Sequence, residues 1–258
     1  MLERKIYSEL LEWKIKRKEE KIKKCLIVKG ARQVGKSYII RRFGEKEYES
    51  FIYIDFYKHP ELKIIFDGEL SSETIFKRMS ANIPGIKLLP GKTLIFLDEI
   101  QRCGNARTAI KFLAEDFRFD VISSGSLLGL SYGMDDDDEV DAIESIPVGY
   151  ETQLTLNSLD FEEFLWAYGY AKDVVCELSE YIGSDKQIHE SIHNKLEELF
   201  REYMVVGGMP EVVDDFVKHK DFNRVFDIQK SILEEYKDDI IISCLCIGYL
   251  IDYKNFLG

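Results

Sequence analysis

Residues 25–43, CLIVKGARQVGKSYIIRRF, decide the fold. Cys25-Leu26-Ile27-Val28 is a short apolar run of the kind a parallel strand buried on both faces shows. Gly30-Ala31-Arg32-Gln33-Val34-Gly35-Lys36-Ser37 follows as a complete G-x-x-x-x-G-K-S, and Tyr38 to Phe43 is a helix-compatible run that Gly44 is expected to break. Strand, glycine loop and helix in that order make the pattern a phosphate-binding loop rather than an ordinary turn.

The physics of such a loop sets its ligand. Glycines tolerate dihedrals that let successive backbone N–H groups converge into a concave anion nest at a helix N-terminus. Lys36 adds a point charge for the β- and γ-phosphates, and the Ser37 hydroxyl suits the coordination shell of Mg2+. Gly30, Ala31, Arg32, Gln33, Val34, Gly35, Lys36, Ser37 and Tyr38 are therefore the expected nucleotide contacts, with ATP and Mg2+ as the ligands. A GTPase would need Asn-Lys-x-Asp after a late strand. The nearest string, Asn194-Lys195-Leu196-Glu197, sits in an expected helix and ends in Glu.

The second chemical landmark is Thr93-Leu94-Ile95-Phe96-Leu97-Asp98-Glu99, an apolar strand ending in two carboxylates. Open α/β sheets bind ligands at the carboxyl ends of their strands. Asp98 fits the acid that orients Mg2+ through water, and Glu99 fits a general base polarising the attacking water. Phe119 to Ser124 reads as a further strand. At its end, Ser124 or Ser126 could hydrogen-bond the lytic water or the γ-phosphate, although serines in a Ser-Gly-Ser turn are as often plain turn formers.

Composition narrows the class. The 258 residues, 45% of them hydrophobic, suffice for a large core and exclude a disordered chain. The net charge of −12 argues against nucleic-acid binding by bulk electrostatics. Residues 1–24 hold nine Lys/Arg against five Glu, a local +4 that leaves −16 for the remainder. Five cysteines without a C-x-x-C pair read as reduced thiols of a cytoplasmic protein. The charged N-terminus lacks a signal peptide's apolar core, and the twelve-residue apolar run Ile240 to Ile251 is too short for a membrane span.

The rest of the chain follows from periodicity. Leu2, Ile6, Leu10 and Trp13 predict an amphipathic helix over residues 2–18, with a solvated basic face from Lys14 to Lys24. Phe51 to Phe56 is a strand, Pro60 opens a helical turn through Phe66, and Ser71 begins a helix to about Ala81. Ala106 to Phe117 reads as a helix and Tyr150 to Leu156 as a fifth strand. The acidic run Asp135 to Asp141 is expected to be a solvated loop. Helices then dominate: Asp160 to Tyr168, a longer one through Ile192 and Tyr203 stopped by Gly207-Gly208 and Pro210, and one over Asp227 to Asp238.

GARQVGKS, LIFLDEIQR, SSGS, LNSLDFEEFL and YMVVGGMPEVV occur in an order that resembles the fourteenth AAA group of prokaryotic AAA+ ATPases. Members usually carry a C-terminal domain of unknown function. The resemblance implies an α/β fold, a P-loop NTPase core with a five-stranded parallel sheet flanked by helices and followed by a C-terminal helical lid. It implies the Walker A roles for Lys36 and Ser37, the Walker B roles for Asp98 and Glu99, and a sensor role for Ser124 or Ser126. The expected organisation is a basic amphipathic helix at 1–24, an ATPase core at 25–156, a lid at 157–218, and a helix with an apolar tail at 219–258. That tail would be the remnant of a truncated C-terminal domain and would promote self-association.

One departure bears on chemistry. The family pattern shows Gly-Arg before the fifth strand, where this chain has Gly149-Tyr150. Arg102, Arg107 and Arg201 could substitute, although each reads first as a surface residue. The expected activity is Mg2+-dependent hydrolysis of ATP to ADP and phosphate, with Glu99 and Lys36 central. The alternatives are a nucleotide-gated binding module with slow or no turnover and, less favoured, a small-molecule kinase. A second copy of the chain, a protein client and nucleic acid all stay open as partners.

Overall fold

The computed structural model describes residues 2–19, 23–126, 149–181 and 188–246, with the side chains of 238–246 left aside. The acidic run at 135–141 and the end of the apolar tail, 247–258, lie outside the described residues. The chain divides into two compact units. One comprises residues 6–156 with 239–258, the other residues 1–5 with 157–238.

The first unit is built on a five-stranded sheet. Helix α1 (Ile6–Glu19) precedes strand β1 (Cys25–Gly30), and α2 (Lys36–Glu47) leads to β2 (Ser50–Asp55). A 3-10 turn (Pro60–Phe66) and α3 (Ser72–Asn82) precede β3 (Thr93–Asp98). Helix α4 (Gly104–Glu115), β4 (Asp120–Ser126) and β5 (Glu151–Thr155) complete it. All four strand pairings are parallel, in the order β2-β3-β4-β1-β5. The apolar runs form strands because both faces are covered: all six residues of β3 are buried. β4 lies between the strand that carries the glycine loop and the strand that carries Asp98, with Ser126 opposite Gly30 in the register.

Local expectations were met at most boundaries and overturned at several. The first helix starts at Ile6, not Leu2. The Lys5 amide is taken by Glu163 Oε1 at 2.6 Å, and the Arg4 guanidinium binds Glu163 and the Asn157 carbonyl, so residues 2–5 belong to the second unit. Arg17, expected on a solvated face, is buried; its Nε donates to Asp120 Oδ1 at 2.7 Å and its Nη1 to the Lys24 carbonyl. Gly44 does not break α2. A Cβ there would meet the Phe51 ring at 2.2 Å, so this glycine lets the helix approach β2 closely.

The second unit is helical: α5 (Phe161–Tyr168), α6 (Lys172–Ser179), α7 (Glu190–Val206), α8 (Pro210–His219) and, as far as Asp238, α9 (Phe222–Cys246). α5 opens on a capping box, Asp160 accepting from the Glu163 amide while the Glu163 side chain takes the Asp160 amide. Pro210, expected to end a helix, instead starts α8 at its first turn, where a missing N–H costs nothing. α6 was not expected, and α9 is longer than the expected Asp227–Asp238. The core joins Leu159, Phe164, Val206, Val212, Val213 and Phe216. Among the described residues, no helix is long and apolar enough to cross a membrane.

Candidate functional site

The loop after β1 is shaped by contacts on both sides. A Cβ at Gly30 would meet the Leu156 carbonyl oxygen at 2.2 Å, so glycine alone lets β1 turn out of the sheet there. Val34 is buried and pins the middle of the loop, while Arg32 and Gln33 beside it are exposed. Gln33 (φ 62°) and Gly35 (φ 92°) are both left-handed, the kind of alternation that turns successive amides toward one concavity. Gly35 caps α2 without a side-chain bond, and the first turn of α2 contains no acidic residue. The positive end of the helix is thus left without an anionic side chain of its own.

Lys36 is buried and folded back on the loop. Its Nζ donates to the carbonyls of Gly30 at 2.9 Å and Ala31 at 2.7 Å. Burial lowers its pKa, and the nearby charges of Glu99 and Asp98 work against that shift. Ser37 is half-buried at the start of α2, whereas Tyr38 is 51% exposed and stands apart from the buried part of the loop.

Asp98 ends β3 and is buried. Its Oδ1 accepts from the Ser124 hydroxyl and from the Glu99 amide at 3.2 Å; its Oδ2 accepts from the Tyr53 hydroxyl at 2.9 Å. Glu99 holds a left-handed backbone (φ 54°), a conformation that costs a non-glycine residue about 1–3 kcal/mol and is typical of functional turns. Gln101 Nε2 donates to Glu99 Oε2 at 2.5 Å.

Lys36, Asp98, Glu99 and Ser124 thus share one end of the sheet, with Ser126 opposite Gly30. Ser124 is buried and bonded to Asp98, while Ser126 is partly exposed.

Two residues at this edge escaped the sequence reading. Tyr53 and Asp55 end β2, and Asp55 is in register with Asp98. The Tyr53 hydroxyl also reaches Asp55 Oδ2 at 3.0 Å; burial and the two carboxylates push the phenol pKa up. The available signal was an apolar strand ending in Asp, the same pattern as β3.

The candidate arginines part ways. Arg107 is not a surface residue: it is buried and forks onto Glu151, its Nη2 2.8 Å from Oε2. Arg102 stacks on Tyr57, with 4.6 Å to the ring centroid. Arg201 is exposed and pairs with Glu197 in the helical unit. Tyr150 packs against the core cluster, and its carbonyl accepts from the Cys25 amide at 2.9 Å.

The residues fit a nucleoside triphosphate with Mg2+. A helix terminus free of anionic caps, a buried lysine and a glycine that a Cβ would clash out suit phosphates. Among the described residues, no cluster of three His, Cys, Asp or Glu forms a protein-only metal cage. The buried Asp98 carboxylate ends β3 at this edge, and Mg2+ is commonly held by one or two carboxylates beside substrate phosphates.

Glycine loop, five parallel strands in this order and the carboxylates on β3 define a P-loop NTPase fold. The AAA domain family (AAA_14) matches residues 22–165, more than half of the chain, and the chain belongs to that family. A domain of unknown function (DUF8612) matches residues 197–241. The expectation that the family's C-terminal domain is missing therefore holds only in part, since this segment carries a recognisable domain of its own.

The Walker-type ATPase PABY2304 of Pyrococcus abyssi is similar in structure, with TM-score 0.53 and 15% identity over 93% of this chain and 75% of that one. C. elegans PCH-2 matches with TM-score 0.46 and 12% identity over 92% of this chain and 69% of that one. No curated protein matches the sequence.

Proposed function

We propose that this chain binds ATP at residues 30–38 and hydrolyses it to ADP and phosphate with Mg2+. The observation that carries the reading is the meeting of the buried Lys36 at the glycine loop with Asp98 and Glu99 at the end of β3. Ser37 and Asp98 would hold Mg2+, which when bound would supply positive charge against that developing on the phosphates. The amides of the loop and of the first turn of α2 cradle the phosphates, and Lys36 exchanges its two carbonyl partners for phosphate oxygens. Ser37 and Asp98 hold the metal side of the site. Glu99 accepts the proton of the attacking water at its carboxylate, and Gln101 keeps that carboxylate in one place. Ser124 fixes Asp98, and Ser126 faces the loop.

Slow turnover is the second reading, and one observation favours it. Arg107, a candidate to replace the arginine that the family places before the fifth strand, is committed to Glu151. An arginine at the transition state is worth about 10³–10⁵ in rate, so its loss would leave a nucleotide-gated switch.

The test combines two variants. Lys36→Ala should abolish binding of a fluorescent ATP analogue, and unchanged affinity would place the nucleotide elsewhere. Glu99→Gln should bind the analogue normally while phosphate release falls about 10²–10⁴-fold, the usual cost of losing a general base. Unchanged single-turnover cleavage in Glu99→Gln would remove Glu99 from the role of base.

A further inference from the structure

Asp55 and Asp98 end neighbouring strands in register, and both are buried. Parallel strands run about 4.8 Å apart, so the two carboxylates face each other at a distance where like charges repel. The Tyr53 hydroxyl stands between them, 3.0 Å from Asp55 Oδ2 and 2.9 Å from Asp98 Oδ2. A phenol carries one proton and can donate to one carboxylate at a time.

The other donors decide which. Asp55 Oδ1 accepts the amides of Tyr57 at 3.0 Å and Lys58 at 3.1 Å, and Lys58 Nζ lies 3.6 Å from Oδ2. Asp55 is therefore answered without the phenol. Asp98 has both acceptor directions of Oδ1 filled, by the Ser124 hydroxyl and the Glu99 amide. At its Oδ2, Tyr53 is the donor among the described residues. A carboxylate accepts about four hydrogen bonds, so these three leave one acceptor direction open. Donors at both oxygens, from β4 on one side and β2 on the other, also stop the carboxylate from rotating about its Cβ–Cγ bond.

We propose that Tyr53 is a positioning residue for the metal: its hydroxyl holds Asp98 so that the one open lone pair meets the water shell of Mg2+. This inference rests on the metal-orienting role proposed above for Asp98. The ring is separately secured, stacked on Phe96 at 5.3 Å and on Phe51 at 6.4 Å, with Arg41 over it at 5.1 Å. Tyr53→Phe keeps that packing and removes only the oxygen.

The experiment measures the affinity of the full chain for a non-hydrolysable fluorescent ATP analogue, with Mg2+ and with EDTA. The ratio of the two is the metal-dependent gain. In Tyr53→Phe the EDTA affinity should match wild type, while the gain falls about 10–100-fold, as when a hydrogen-bond partner of a metal-ligating group is lost. A role confined to stability would lower the melting temperature and leave the ratio unmoved. Asp98→Asn is run in parallel. If it loses the gain and Tyr53→Phe keeps it, the Tyr53 proposal is overturned and the role of Asp98 stands. If Asp98→Asn keeps the gain, the role of Asp98 falls and the Tyr53 proposal falls with it.

Discussion

Arg107 offers the sharpest test of structure against chemistry, because a buried arginine that could replace the one the family places before the fifth strand invites a catalytic reading. Its side chain is 5% exposed and that of Glu151 is 3% exposed, and the two meet in a bidentate fork. Arg107 sits on α4 and Glu151 opens β5 opposite Cys25, so the pair ties a helix to the edge strand. Replacing Arg107 by Met leaves a carboxylate buried without its partner, which typically costs about 3–5 kcal/mol. For a unit of this size each kcal/mol moves the melting temperature by about 2–4 °C, so a fall of roughly 6–20 °C is expected. Replacing both residues by Met removes the stranded charge, and an apolar pair of similar volume is often neutral or better. The double variant should therefore melt within a few degrees of wild type.

The assay can isolate the sheet unit, because Trp13 lies in it and Trp166 lies in the helical unit. In a Trp166→Phe background, tryptophan fluorescence reports on the core around α1. Phosphate release is then measured well below the transition. A structural Arg107 predicts near-normal turnover in the double variant. A double variant that melts like wild type but loses 10³-fold or more in turnover would show that Arg107 acts on the phosphates, and the argument from the ion pair would be refuted. A single variant that melts like wild type would show that the pair does not hold β5.

Other consequences can be measured with less effort. Gly44→Ala should destabilise the sheet unit by about 1–3 kcal/mol in urea despite alanine's better helix propensity, because its Cβ meets the Phe51 ring at 2.2 Å; trimming Phe51 to Leu in the same chain should recover part of the loss. Asp116, bonded to Arg118 and Ser72, is held down to a pKa of about 2. A carboxyl with a lowered folded pKa stabilises fully above its unfolded value near 4 and loses that contribution as pH falls through about 2, so the stability gap between wild type and Asp116→Asn should shrink between those pH values. Glu99→Gly should raise stability or leave it unchanged, since the left-handed backbone at that position suits glycine, while phosphate release is lost; a marked loss of stability would mean that the Glu99 side chain holds the turn.

What the sequence could disclose, and what it could not, follows from how far apart the interacting residues lie. Strands β1, β3 and β4 were legible because strands buried on both faces are continuous apolar runs, and the glycine loop was legible because its motif sits within eight consecutive residues. Errors fell where a residue's environment is set by a distant partner. Arg17 looks like any residue of a basic helix, and its burial depends on distant partners such as Asp120, 103 positions away. Arg107 depends in the same way on Glu151, 44 positions away. Pro210 misled for a different reason: proline both ends helices and begins them, and only the turn at Gly207-Gly208 before it selects the second role.

The site divides along the same line. The glycine loop proposed for the phosphates is local. The surroundings of Asp98 are assembled from three strands, with Tyr53 45 positions from Asp98 and Ser124 26 positions from it. A strand between the glycine loop and Asp98 is what brings a hydroxyl donor to one oxygen of that carboxylate, and a strand beyond it brings another hydroxyl to the second. Strand order, which the local pattern of hydrophobicity does not encode, therefore fixes which hydroxyls meet the two oxygens of Asp98.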